Sequence, residues 1–276
     1  MDIRRLDKDL SYVCLAGNTL SCEQQVVLYN SLTNLQNENN FTNVYFWGKI
    51  LGTESDYFLA YGFRKDVIKG KVFFYSTNCV DWGVLPLSSP AVANLALICQ
   101  APFQGDPSLV LNVSKEGFNG FDIDENEGLV APLKEEDRLS ATVWAVTEAA
   151  AVVPRGVFVV NSDDGCLSWN PCFVGLGHSK AVSLSHYLHL RPPRKPWNTC
   201  LLTAASPNPA IDCLDSIDTD FPPGCWSLQL ECGSHVVVLR NLLWPGAVGY
   251  HAVGTPDHGY VYIGSGKRNL DLPFMV

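Results

Sequence analysis

The sequence contains no run approaching ~18 consecutive apolar residues, so no membrane-spanning helix is expected. Its ten cysteines (14, 22, 79, 99, 166, 172, 200, 213, 225 and 232) form no Cys-x-x-Cys pair. No export signal is visible either: Met1-Asp2-Ile3-Arg4-Arg5 is charged, and the next apolar stretch is broken by Gly17 and Asn18. The cysteines are therefore expected to be buried or surface thiols in a reducing compartment. The sequons at Asn40-Phe41-Thr42 and Asn112-Val113-Ser114 then read as chance matches. Gly-x-Ser-x-Gly is absent, as are internal repeats and low-complexity tracts. Positive charge is in short supply, with 19 basic against 28 acidic residues and a net charge of −9. That balance argues against nucleic acid or an anionic membrane as partner. The one local basic stretch, RPPRKP at 191–196, reads as a proline-stiffened loop solvated by its charges.

Partial matches to chemical motifs fail where their geometry is strictest. His186 and His189 fall at i and i+3 of an expected helix near 179–189, with His178 close by, but no cysteine or acid completes a metal site. The stretch from Asp122 to Gly128 opens like an EF-hand calcium loop. Its sixth position is Glu127 instead of glycine, and its twelfth is Leu133 instead of a bidentate acid. Gly264-Ser265-Gly266-Lys267 has no helix after it to supply amides to a phosphate. No catalytic, metal or cofactor-binding residue is nominated, and no cofactor is expected. A catalytic set dispersed over β loops would leave no such trace, so it stays as an alternative.

What is abundant is apolar and aromatic surface. Hydrophobic residues make up 47% of the 276 and charged ones 17%, too apolar a composition for disorder. Ser21-Cys22-Glu23-Gln24 reads as a capping box opening an amphipathic helix over 21–37. VYFWGKIL (44–51) and YFLAYGF (57–63) form a β-hairpin over 44–63, followed by a strand at 71–76. Ser89-Pro90 starts a helix ending about residue 99, and 105–113 is a further strand. The glycine-rich, acidic stretch 114–128 marks a boundary between an N-terminal half, 1–130, and a C-terminal half, 131–276. A helix over 134–149 carries acids in its first turn, where the helix dipole favours them. Pro154-Arg155-Gly156 ends it, and VFVV begins a strand. From 226 to 264 the pattern is an antiparallel meander of about four strands. The fold class is α+β, predominantly antiparallel sheet with a few packed helices.

With seven Trp, ten Tyr and thirteen Phe, the aromatics either fill a sheet core or serve as an interface. Trp47, Trp244, Pro245, Gly246, Tyr250, Tyr260 and Tyr262 are the candidates for such structural or interface roles. Tyr260 and Tyr262 share one strand face. Trp244-Pro245-Gly246 reads as a turn between meander strands, because proline cannot donate to a ladder and glycine permits a tight reversal.

Several stretches occur together in one order: FWGKILG (46–52), DYFLAYG (56–62), GDPS (105–108), KEEDRLSATV (134–143), VPRG (153–156), LLWPGA (242–247), Tyr250-His251-Ala252, GYVYIGSG (259–266) and NLDLPFMV (269–276). They resemble the radial spoke head proteins of motile cilia and flagella, from about residue 40 onward. The resemblance implies a non-catalytic structural subunit of the axoneme, supporting head assembly and the spoke–central pair signalling that regulates dynein-driven motility. Implied partners are related head proteins of the 4 and 6 type, head protein 1 and spoke protein 3, with transient contact to the central pair. A cytosolic β-rich adaptor outside the axoneme is the remaining alternative.

Overall fold

Ser21 accepts a hydrogen bond from the Gln24 amide at 3.2 Å, and the Gln24 side chain accepts from the Ser21 amide at 3.1 Å. This reciprocal cap starts helix α2 (Cys22–Glu38), which buries Leu28, Leu32 and Leu35 at helical spacing. Before it lies a shorter helix, α1 (Leu6–Cys14), which the sequence pattern did not announce. The structure, a computed structural model, describes all residues except 15–16, 18, 115–129, 162–164, 195–207, 209, 232, 234 and 275–276. The acidic stretch read as an imperfect calcium loop thus lies outside the described residues.

The hairpin follows as β1 (Asn43–Ile50) and β2 (Tyr57–Phe63), continued by β3 (Val72–Ser76) and a two-residue β4 (Gly83–Val84). Ser89 caps α3 (Pro90–Ile98) by accepting from the Val92 amide. Strand β5 (Val110–Ser114) starts later than the expected 105, because Gly105–Ser108 forms a polar turn in which Asp106 accepts from Ser108. It pairs with β6 (Val130–Lys134), which leads into α4 (Glu135–Ala150). Short strands β7 (Val152–Pro154), β8 (Phe158–Val160) and β9 (Leu167–Trp169) come next.

The helix expected near 179–189 is only one turn, α5 (His178–Ala181). After a 3-10 turn at Leu184–His186, Tyr187–His189 forms strand β10 and pairs with β7. Burial of Tyr187, Leu188 and His189 against β7 overrides the local helical spacing. His186 and His189 therefore do not share a helix face. The meander then runs through β11 (Trp226–Glu231), β12 (Val236–Asn241), β13 (Ala247–Ala252) and β14 (His258–Gly264).

The main sheet has eight strands in the order β11-β12-β13-β14-β1-β2-β3-β4. Its contacts are antiparallel except one: β14 runs parallel to β1, with Gly48 opposite Tyr262. The C-terminal meander and the N-terminal hairpin are thus joined edge to edge in one sheet. A bulge between Phe46 and Gly48 lets β1 keep both neighbours in register.

Both faces of this sheet are covered. On one side Phe46, Phe58, Ala60, Val238 and Tyr250 pack with α1 and α2. On the other, Trp47, Tyr57, Leu59, Tyr61, Tyr260 and Tyr262 pack with Leu139, Val143 and Val146 of α4. Every residue of β2 is buried as a result, the pattern of a strand covered on both faces.

Candidate interaction surface

Among the described residues no group of three or more His, Cys, Asp or Glu is placed to hold a metal ion. No helix among them is long and apolar enough to cross a membrane. His189 lies buried with Nε2 at 2.9 Å from both carboxylate oxygens of Asp220, while His178 and His186 lie outside that pair. Asp220 also accepts from the indole of Trp226 at 2.8 Å. Burial pushes the thiols of Cys79 and Cys225 up to about 11, which keeps them protonated at neutral pH. In the Gly264–Lys267 turn, the Gly266 amide donates to the Tyr262 hydroxyl at 2.8 Å.

The seven aromatic and turn candidates do not gather at one place. Trp47 sits at the β1 bulge and donates to Thr147 Oγ1 of α4 at 2.8 Å. Tyr262 lies against it, ring centroids 5.4 Å apart, and Tyr260 stacks on Tyr61 at 6.4 Å. Tyr250 points through the opposite face to Tyr12 of α1, 5.5 Å away. All four are buried in the two cores.

The Trp244-Pro245-Gly246 turn is held on three sides. The Trp244 amide donates to Asn241 Oδ1, the Ala247 amide to the Trp244 carbonyl, and the Ile263 amide to the Gly246 carbonyl, each at 2.9 Å. Gly246 has φ +102°, and a Cβ there would sit 2.1 Å from the Ile263 carbonyl oxygen. Pro245 is exposed, while the Trp244 ring is buried.

Trp244 nevertheless edges a hollow at the surface. Together with Ala93, Leu97, Ala141, Ala145 and Leu270 it lines a groove of about 370 Å³ between α3 and α4. Past Leu97, Ala145, Trp244 and Arg268 the groove continues into a second hollow of about 300 Å³, beside Phe221. Helix α3 is apolar apart from Asn94, yet none of its residues is fully buried. Leu87 just before it is 86% exposed, Leu97 48%, Leu270 60% and Phe221 80%. Leu97 and Leu270 line the first hollow and Leu97 and Phe221 the second, so part of this exposed apolar surface gathers along the groove. The sequence offers a signal for it in PAVANLALI, a helix without a polar face, but that pattern equally describes a buried helix.

Side chains from α4 pin the segments flanking α3. Arg138 donates to the carbonyls of Cys99 and Ala101, and Ser140 to that of Pro86. Fully buried Glu135 accepts from the amides of Gln104 and Gly105 and from the Tyr57 hydroxyl. The stretches GDPS and KEEDR are thus brought together, the Gly105 amide donating to the Glu135 carboxylate at 2.7 Å.

The sheet is buried on both faces, and one apolar helix lies at its side with none of its residues fully buried. Comparison with known proteins gives the chain a class. The family described as radial spokehead-like protein matches residues 1–66. Over the full length of both chains the sequence is 41% identical to the radial spoke head protein 9 homolog of Danio rerio, 40% to that of Xenopus tropicalis and 37% to that of Homo sapiens. The chain belongs to the radial spoke head protein 9 family, structural components of the ciliary and flagellar axoneme.

Proposed function

We propose that the protein is a non-catalytic scaffold subunit of the radial spoke head, supporting head assembly and the spoke–central pair signalling that regulates dynein-driven bending. The observation that carries this reading is the uncovered apolar surface of α3, Leu97 and the Trp244 groove. Such a surface is costly to leave in water and gains by burial against another subunit. The partners proposed are the related head proteins of the 4 and 6 type, with head protein 1 and spoke protein 3 in the wider complex. Contact with the central pair is proposed to be brief, since a net charge of −9 favours repulsion between like-charged surfaces.

Detergent fractionation of isolated axonemes tests the reading. A scaffold subunit stays with the axoneme and leaves together with other spoke components when salt is raised. Recovery in the detergent-soluble fraction would return the chain to the class of cytosolic adaptors.

A further inference from the structure

We propose that the groove between α3 and α4 seats an amphipathic helix from a different polypeptide, its apolar stripe bordered by Asp or Glu. This inference rests on the scaffold reading and gives it a location and a partner chemistry.

The occupant's shape follows from the groove walls. Both are helices whose backbone groups are satisfied internally, so no row of free amides and carbonyls is available to pair with an added strand. Affinity must come from side chains filling the hollow over Ala145, Leu97 and Trp244. An amphipathic helix supplies them at i, i+3, i+4 and i+7. The flanks of α3 are fixed to α4 through Arg138 and Ser140, so the groove is present before anything enters it.

The occupant's charge follows from the rim. In a chain of net charge −9, the groove collects Lys267, Arg268, Arg191 and Arg194 against Glu148 and Asp220. Asp220 is engaged by His189 and Trp226, and Arg191 is paired with Asp215 at 2.7 Å. Among the described residues Lys267 and Arg268 form no ion pair, and Arg268 is exposed. The surplus at the rim is positive and complements an acidic partner. A second copy of this acidic chain is a poorer match.

A photo-crosslinking side chain in place of Leu97, in the protein assembled into axonemes, identifies the occupant. The expected product joins Leu97's position to a helix-periodic segment of another polypeptide with acidic residues beside its apolar stripe. A control at Val26, exposed on α2, should not capture that segment. Lys267→Glu with Arg268→Glu, at solvent-accessible positions, should keep the melting temperature and weaken retention on the order of tenfold, seen as release at lower salt. A crosslink to this chain's own sequence, to a basic segment, or to nothing overturns the proposal. So does undiminished retention of the double variant. If wild-type protein itself fails to stay with axonemes, the scaffold reading falls instead.

Discussion

The hydroxyl of Tyr57 donates to Glu135 Oε1 at 2.8 Å, joining the second strand of the hairpin to the first turn of α4 with neither side chain exposed. The same carboxylate receives the Gly105 amide at 2.7 Å and the Gln104 amide at 3.0 Å. Burial, and then the bond to Glu135, pushes the Tyr57 hydroxyl well above the usual tyrosine range. One carboxylate therefore holds a strand, a helix start and the loop after α3.

Removing the hydroxyl and removing the carboxylate should differ in cost. Tyr57→Phe deletes one donor and leaves Glu135 its two amides, so a loss of about 1–3 kcal/mol is expected. Glu135→Ala strands two backbone amides and the phenol in a buried site, so the loss should exceed about 3 kcal/mol. Urea denaturation at neutral pH measures both. Equal, small shifts in midpoint would mean that water or neighbouring groups replace the carboxylate.

Trp244-Pro245-Gly246 supports two contrasting substitutions. Gly246→Ala places a Cβ against the Ile263 carbonyl at a positive φ, and the strain should cost about 2–4 kcal/mol. Trp244→Ala removes a buried ring and should cost about 3–5 kcal/mol. Thermal melts of both variants are the measurement. An unchanged melt for Trp244→Ala, combined with poorer retention on axonemes, would make the indole a partner contact instead of a packing element.

Much of the fold was legible locally because the deciding interactions are local. The Ser21–Gln24 cap, the 44–63 hairpin and the 226–264 meander each depend on neighbours within a few residues or one turn. The parallel pairing of Gly48 with Tyr262 depends on residues over two hundred positions apart, and nothing in either strand's alternation announces it. Near 179–189 the spacing suited a helix, but pairing with β7 and burial of Tyr187 decided the outcome. The groove beside α3 was the least legible part. An apolar helix in sequence gives no sign of whether its own chain covers it, and for α3 it does so only partly. Trp244 was visible as a turn residue, while its place at the edge of a groove required the convergence of α3, α4 and residues 266–270.

Acid should loosen the sheet through His251. Its ring is fully buried on β13, and Nε2 accepts from the Leu176 amide at 3.3 Å. An amide can only donate, so Nε2 is the unprotonated nitrogen and the proton sits on Nδ1. Burial lowers this imidazole from its ordinary 6.5 to about 4. The folded value lies below the unfolded one, so the unfolded chain binds the extra proton across the window from pH 6.5 down to 4. The stability linked to His251 is complete above that window and is lost as pH falls through it, by about 3 kcal/mol in total. His258, also lowered to about 4 by burial, acts in the same direction. Urea midpoints of wild type and His251→Gln at pH 7.5, 5.5 and 4.5 separate the contributions. Glutamine retains an acceptor for Leu176 but does not titrate, so the variant should lose less stability than wild type between about pH 6.5 and 4. Parallel curves for the two proteins would show that His251 is not protonated on unfolding in this range, and that the acid response arises elsewhere in the chain.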